Sequence, residues 1–99
     1  MLLFAAMADK DIASMAALLG PHADAVVVTE APGTDRAAPT AEVAREFDAR
    51  TELVESAPDA EAAFKRARML ATSQGTVIAC GSLYLVGFIR SLVLSVQAQ

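Results

Sequence analysis

The chain predicts an α/β protein: three α/β/α layers around a mostly parallel sheet of about four strands. Three observations carry that reading. Uncharged apolar runs of strand length, without the alternation of a half-exposed strand, occupy residues 2–7, 25–29 and 76–80, as strands buried on both faces require. Between them lie stretches whose apolar residues recur every three or four positions, the period of an amphipathic helix. Short connections containing Gly, Pro, Asp or Ser separate the two kinds. The elements therefore read β-α-β-α-β-α-β-α, with no repeat and no low-complexity segment.

Residues 2–7 form the first strand, and Asp9 or Asp11 can cap the helix that follows, because a carboxylate accepts the unpaired N–H groups of a first helical turn. Ile12, Met15, Ala16 and Leu19 make the helical stripe, and Gly20-Pro21 ends it. The run Ala25-Val26-Val27-Val28-Thr29 is β-branched and uncharged, a clear strand. Proline, glycine and aspartate mark residues 31–36 as a loop. Thr40 is placed to cap a helix with Val43, Ala44 and Phe47 on its apolar side. Residues 51–54 are a weaker strand. Ser56 with Asp59 resembles a capping box, with Pro58 in the first turn. Ala60, Ala63, Phe64, Ala67 and Leu70 then face inward, opposite Glu61, Lys65, Arg66 and Arg68. Gly75 breaks that helix, residues 76–80 form a buried strand, and Ser82 caps the last helix.

Ninety-nine residues make one domain, 1–99, and a chain of this size buries roughly two-thirds of its unfolded surface. The composition is 55% hydrophobic and 5% aromatic, which suits close-packed helices on a sheet and argues against disorder. A net charge of −4 provides no basic footprint for nucleic acid. One cysteine, Cys80, and one histidine, His22, exclude an internal disulfide and a multi-histidine metal centre. The lone cysteine and the absence of a typical signal peptide point to the cytoplasm. No charge occurs between Arg68 and Arg90, a gap long enough to resemble a membrane span. It is interrupted at Thr72-Ser73-Gln74-Gly75 and again at Gly81-Ser82, so it reads as a buried strand and a buried helix, with no membrane partner.

Right-handed crossovers place the turns after strands one, two and four on one edge of the sheet. Lys10, Thr29, Arg36 and Ser82 line that edge, where open α/β sheets bind ligands. Lys10, flanked by Asp9 and Asp11, is either a cation aimed at a phosphate or carboxylate or a solvated lysine beside a helix cap. Arg36 either grips a carboxylate with its two-pronged guanidinium or is a solvated loop residue. Ser82 caps a helix, and that N-terminus can also hold an anion. His22 follows Gly20-Pro21 at the opposite edge and reads as a surface residue. Cys80 reads as a small hydrophobe, and Tyr84 as a packing residue with its hydroxyl paired. No serine–histidine–acid arrangement or metal-ligand spacing occurs.

The segments Met7-Ala8-Asp9-Lys10-Asp11-Ile12, Ala23-Asp24-Ala25-Val26-Val27-Val28-Thr29, Arg36-Ala37-Ala38-Pro39, Glu61-Ala62-Ala63 with Ala67, and Gly81-Ser82-Leu83-Tyr84-Leu85-Val86-Gly87 carry a family resemblance. In that order and spacing the chain resembles the C-terminal domain of folylpolyglutamate synthases and dihydrofolate synthases, of the Mur ligase superfamily. The resemblance implies a Rossmann-like sheet. It also implies a part in coupling L-glutamate to tetrahydrofolate or dihydropteroate, through an acyl phosphate made from ATP. An N-terminal domain supplies the phosphate loop and magnesium ligands, and Lys10 and Ser82 face the cleft between the domains, with Asp9 and Arg36 beside it.

The chain departs from the family at its start. It holds no G-x-x-G-K-[ST]-type loop and no Asp-Gly-Ala-His-Asn-Pro segment, which opens the family's domain with a strand and helix of its own. His22 follows a helix and is no substitute, and Phe88 stands where the family carries an acidic residue. The expectation is a domain that binds no ATP or magnesium and ligates nothing alone. Its uncovered sheet edge would pair with an N-terminal ATPase partner or a second copy. The competing expectation is a non-catalytic interaction or oligomerisation module descended from that domain.

Overall fold

The apolar run at the amino end becomes β1 (Leu2–Phe4), the centre of a parallel sheet, in a computed structural model that describes residues 1–72 and 75–97. After it come α1 (Ile12–Leu19), a 3₁₀ turn (Gly20–His22), β2 (Ala25–Val28), α2 (Thr40–Asp48), β3 (Leu53–Ser56), α3 (Ala60–Ala71), β4 (Ile78–Cys80) and α4 (Leu83–Gln97). The strands lie in the order β3-β2-β1-β4, and every neighbouring pair is parallel. This is the predicted α/β sheet with helices on both faces. Ser73 and Gln74, part of the predicted break before β4, lie outside the described residues.

Period-two alternation sorts the side chains between two cores. Leu2, Phe4, Val26 and Val28 face α1 and α2, where they meet Ala16, Val43 and Phe47. Leu3, Ala5 and Val27 face α3 and α4, where they meet Ala63, Ala67, Leu85 and Ile89. Each fully buried Val, Leu, Ile or Phe stabilises the fold by about 1.5–3 kcal/mol. The small inner stripe of α3, Ala60, Ala63 and Ala67, lets that helix lie close on the strands. Its outer face carries Glu61 bridged to Lys65 at 3.6 Å and Arg66 bonded through two nitrogens to Glu55 of β3, at 2.8 and 3.0 Å. The arginine holds the Glu55 carboxyl below its ordinary range.

Several local expectations shift. The third strand starts two residues later than residues 51–54, because Thr51 is engaged in the turn. Its N–H donates to the Phe47 carbonyl and its hydroxyl to the Gly20 carbonyl, both at 2.9 Å. Thr40 opens α2 rather than capping it; the cap position is Pro39, which has no side chain to accept a bond. In the predicted capping box, Asp59 alone caps α3, accepting from Ala62 N–H at 2.8 Å. Ser56 closes β3, and Pro58 precedes the cap. Helix α3 ends at Ala71, before Gly75. Gly20 serves for space rather than for an unusual backbone: it is right-handed, and a Cβ there would sit 2.8 Å from the Arg50 Cβ. The fourth strand is shorter and less buried than predicted. It is the outermost strand beyond β1, and Ile78 is 55% exposed. Among the described residues no helix is long and apolar enough to cross a membrane.

Candidate functional site

Strands β1 and β4 are hydrogen-bonded neighbours whose following helices leave to opposite faces, α1 to one and α4 to the other. The chain therefore splits at the carboxyl ends of this pair, which is where open α/β sheets form their binding crevice. The Met7–Asp11 corner and the Gly81–Ser82 corner stand on the two sides of it.

The first corner is a turn closed by Lys10 N–H on the Met7 carbonyl at 3.1 Å. Asp11 then caps α1, accepting from Ser14 N–H at 3.2 Å and from the Ser14 hydroxyl at 2.7 Å. Those two bonds hold the Asp11 carboxyl below its ordinary range, the hydroxyl contributing most. Of the two aspartates, Asp11 is thus the cap, and Asp9 and Lys10 are left exposed on the turn. The second corner depends on Gly81, whose φ of +98° suits glycine. There Ser82 is buried, and its Oγ accepts from Tyr84 N–H at 3.1 Å and Leu85 N–H at 3.4 Å. Its oxygen is committed to capping α4 and shapes the crevice from within.

A third segment is tied to the first. Ala8 N–H donates to the Arg36 carbonyl and Ala38 N–H to the Ala6 carbonyl, both at 2.8 Å, with an antiparallel bridge between Met7 and Ala37. The stretch after β2 therefore runs back along the end of β1 and sets Arg36 beside the Asp9–Lys10 turn. A short turn in which Arg36 N–H bonds the Thr34 hydroxyl at 3.1 Å fixes its backbone. Both cations are exposed, and among the described residues neither enters an ion pair. Asp9, Asp11, Glu30 and Asp35 lie in the same loops. The rim is thus no bulk positive patch; it offers two exposed cations amid carboxylates, which suits a zwitterion better than a polyanion.

Two expectations are corrected here. Thr29 does not line the edge: its N–H donates to the Phe4 carbonyl at 3.0 Å, and its side chain is wholly buried. The Thr29 Oγ1 has no partner among the described residues. A buried hydroxyl without a partner costs about 1–3 kcal/mol, so Thr29→Val is expected to raise the unfolding free energy by about 1 kcal/mol in urea titration. A loss of similar size would show that the hydroxyl is bonded in solution. Tyr84 is not a packed residue with a paired hydroxyl. It is 46% exposed, its hydroxyl has no partner among the described residues, and its ring stands 3.9 Å from where a Gly33 Cβ would lie. It therefore closes the crevice against the 31–36 loop. The signal for this was its place two residues beyond the cap, where the first turn of α4 looks toward that loop.

The remaining candidates lie elsewhere. His22 is exposed near the start of β2, at the far end of the sheet. Cys80 is half-buried, and burial pushes its thiol up, away from the thiolate a nucleophile needs. A hollow of ≈ 350 Å³ bounded by Met1, Asp24, Leu70 and Ile78 also sits at the amino end of the strands, remote from Lys10 and Arg36. Among the described residues no three His, Cys, Asp or Glu side chains converge as a metal site.

The sequence model of the family described as Mur ligase, glutamate ligase domain, matches residues 1–83. No curated protein matches the chain. Among solved structures, Mycobacterium tuberculosis folylpolyglutamate synthase complexed with ADP is 29% identical, with a TM-score of 0.79 over 92% of this chain and 22% of that one. The same enzyme complexed with ADP and AMPPCP is 27% identical, with a TM-score of 0.80 and the same coverage. The chain thus spans 22% of the length of the structures it resembles.

Proposed function

The chain belongs to the Mur ligase, glutamate ligase domain family, and from that premise we propose that it is the amino-acid-binding part of an ATP-dependent folate ligase, adding L-glutamate to tetrahydrofolate or dihydropteroate. The observation that carries the reading is the crevice at the β1–β4 split, where backbone bonds bring Arg36 to the Asp9–Lys10 turn and both cations stay unpaired. Glutamate brings two carboxylates and an ammonium. The Arg36 fork suits one carboxylate, Lys10 suits the other, and Asp9 balances the ammonium. Held so, the amine loses a proton and attacks an activated acyl carbon; the new C–N bond forms as the bond to the leaving phosphate breaks. The chain's own contribution is to fix the amine's position.

In this reading ATP and magnesium belong to an N-terminal ATPase part. The residues here fit neither: the sequence has no phosphate loop, and the described carboxylates do not converge. By itself the chain is inactive, and the complete ligase works in the cytoplasm. With an N-terminal part restored, charge-assisted bonds worth about 1.5–3 kcal/mol each make Arg36→Ala and Lys10→Ala each raise the glutamate KM by roughly 10- to 150-fold, with a smaller change in kcat. An unchanged glutamate KM in both variants would reject this assignment of roles.

A further inference from the structure

The loop that carries Arg36 is shaped before the chain reaches that residue. Ala31 is buried, only 3% exposed, and anchors the start of the loop to the core. Pro32 restricts its own φ, and Gly33 follows at φ +76°. Proline and then a residue of positive φ is the pairing of a type II turn. The turn comes just ahead of Thr34, whose hydroxyl then closes a second, smaller turn onto Arg36 N–H.

The two exposed cations of the crevice are held alike through their backbones. A planar peptide leaves each residue only φ and ψ, so anchoring the peptide groups on both sides of a Cα sets the direction in which its side chain departs. At Lys10 the N–H donates to the Met7 carbonyl at 3.1 Å, and the carbonyl accepts from Ile12 N–H at 3.0 Å. At Arg36 the carbonyl accepts from Ala8 N–H at 2.8 Å, and the N–H donates to Thr34 Oγ1 at 3.1 Å. Three of these four bonds join backbone to backbone and do not depend on any side chain. The fourth depends on one hydroxyl. Among the described residues the peptide group between Asp35 and Arg36 makes no other hydrogen bond.

We infer that Thr34 is a positioning residue for Arg36: its hydroxyl fixes the φ of Arg36 and so aims the guanidinium fork that takes a glutamate carboxylate. The inference rests on the binding role given to Arg36 above. A two-pronged pair needs the guanidinium and carboxylate groups aligned, so a fork free to swing binds more weakly even with its charge intact. The same bond contributes little to folding. It lies at the surface, where water takes over as acceptor once the hydroxyl is lost. Thr34 therefore acts on the site and hardly on the fold, and that separates it from a threonine that merely closes a turn.

The test compares Thr34→Val, which keeps the β-branched shape and removes the acceptor, with Thr34→Ser, which keeps the acceptor. In the full chain, hydrogen exchange at the Arg36 amide is expected to quicken by about fivefold or more in Thr34→Val and to stay near its original rate in Thr34→Ser. The urea midpoint hardly moves in either. With an N-terminal ligase part restored, Thr34→Val is expected to raise the glutamate KM roughly 3- to 10-fold while kcat holds, and Thr34→Ser to restore it. In an Arg36→Ala background, Thr34→Val is expected to add nothing, since it acts only through Arg36. If Arg36→Ala raises the glutamate KM and Thr34→Val does not, or if Thr34→Val raises it as much again without Arg36, the positioning role is overturned and the ligase reading stands. If Arg36→Ala leaves that KM unchanged, or no turnover is obtained, both fall together. An Arg36 amide indifferent to Thr34→Val overturns the inference without reference to activity.

Discussion

Gly81→Ala is expected to lower the unfolding free energy by about 2–4 kcal/mol and to disorganise the crevice with it. Two costs add. A residue with a Cβ at φ +98° is strained by about 1–3 kcal/mol. The new methyl would also overlap the Ala5 carbonyl oxygen and stand 2.8 Å from the Phe4 ring. Neither neighbour can yield, since the Ala5 backbone is bonded to β4 and Phe4 is fully buried. The relaxation open to the chain is to push the β4 corner away from β1, the very pair that frames the candidate site. Urea titration measures the first effect. A sensitive internal control is Gly87→Ala: nothing lies within 4 Å of its added methyl, and alanine in a helix interior is favoured by about 0.5–1 kcal/mol. If Gly81→Ala proves as harmless as Gly87→Ala, the corner is not held as described.

The second large effect concerns the α1/α2 core. Phe4 and Phe47 meet edge to face, with ring centroids 5.0 Å apart and planes inclined by 66°, and both are fully buried. Phe47→Ala is expected to cost about 3–5 kcal/mol, transfer and cavity together. For a chain of this size that is a large share of a total stability of about 5–15 kcal/mol. A double-mutant cycle with Phe4→Leu is expected to return a coupling of about 0.5–1.5 kcal/mol from the ring geometry. Thermal unfolding monitored by circular dichroism is the check. A Phe47→Ala loss below about 1 kcal/mol would mean the cluster is loosely packed.

The sheet was legible where one local property decided the outcome. Burial on both faces leaves an uncharged run, and residues 2–4 and 25–28 became the two central strands. The inner stripes of α2 and α3 followed from period alone. What was misread depended on partners distant in sequence. Thr51 looked like strand because its bond to Gly20 spans 31 positions. The exposure of Ile78 depends on strand order, and no local pattern encodes the order β3-β2-β1-β4. At the site, the corners carrying Lys10 and Ser82 could be located from the sequence. So could the capping of α4 by Ser82; that Thr29 is sealed off, and that the Ala8–Arg36 backbone bond draws Arg36 to Lys10, could not. Each rests on loop geometry fixed by long-range pairing rather than by neighbouring residues.

The most direct test of the ligase reading is ADP release in the presence of ATP, magnesium, L-glutamate and a tetrahydrofolate or dihydropteroate acceptor. It compares this chain alone, a separately expressed N-terminal part of a folate ligase from the same source, and the two together, with their association verified independently. Turnover that needs both chains, the acceptor and glutamate, and that Arg36→Ala weakens through the glutamate KM, is the predicted result. A bound pair that releases no ADP beyond the N-terminal part alone would contradict it and leave the chain an interaction module with a ligase ancestry.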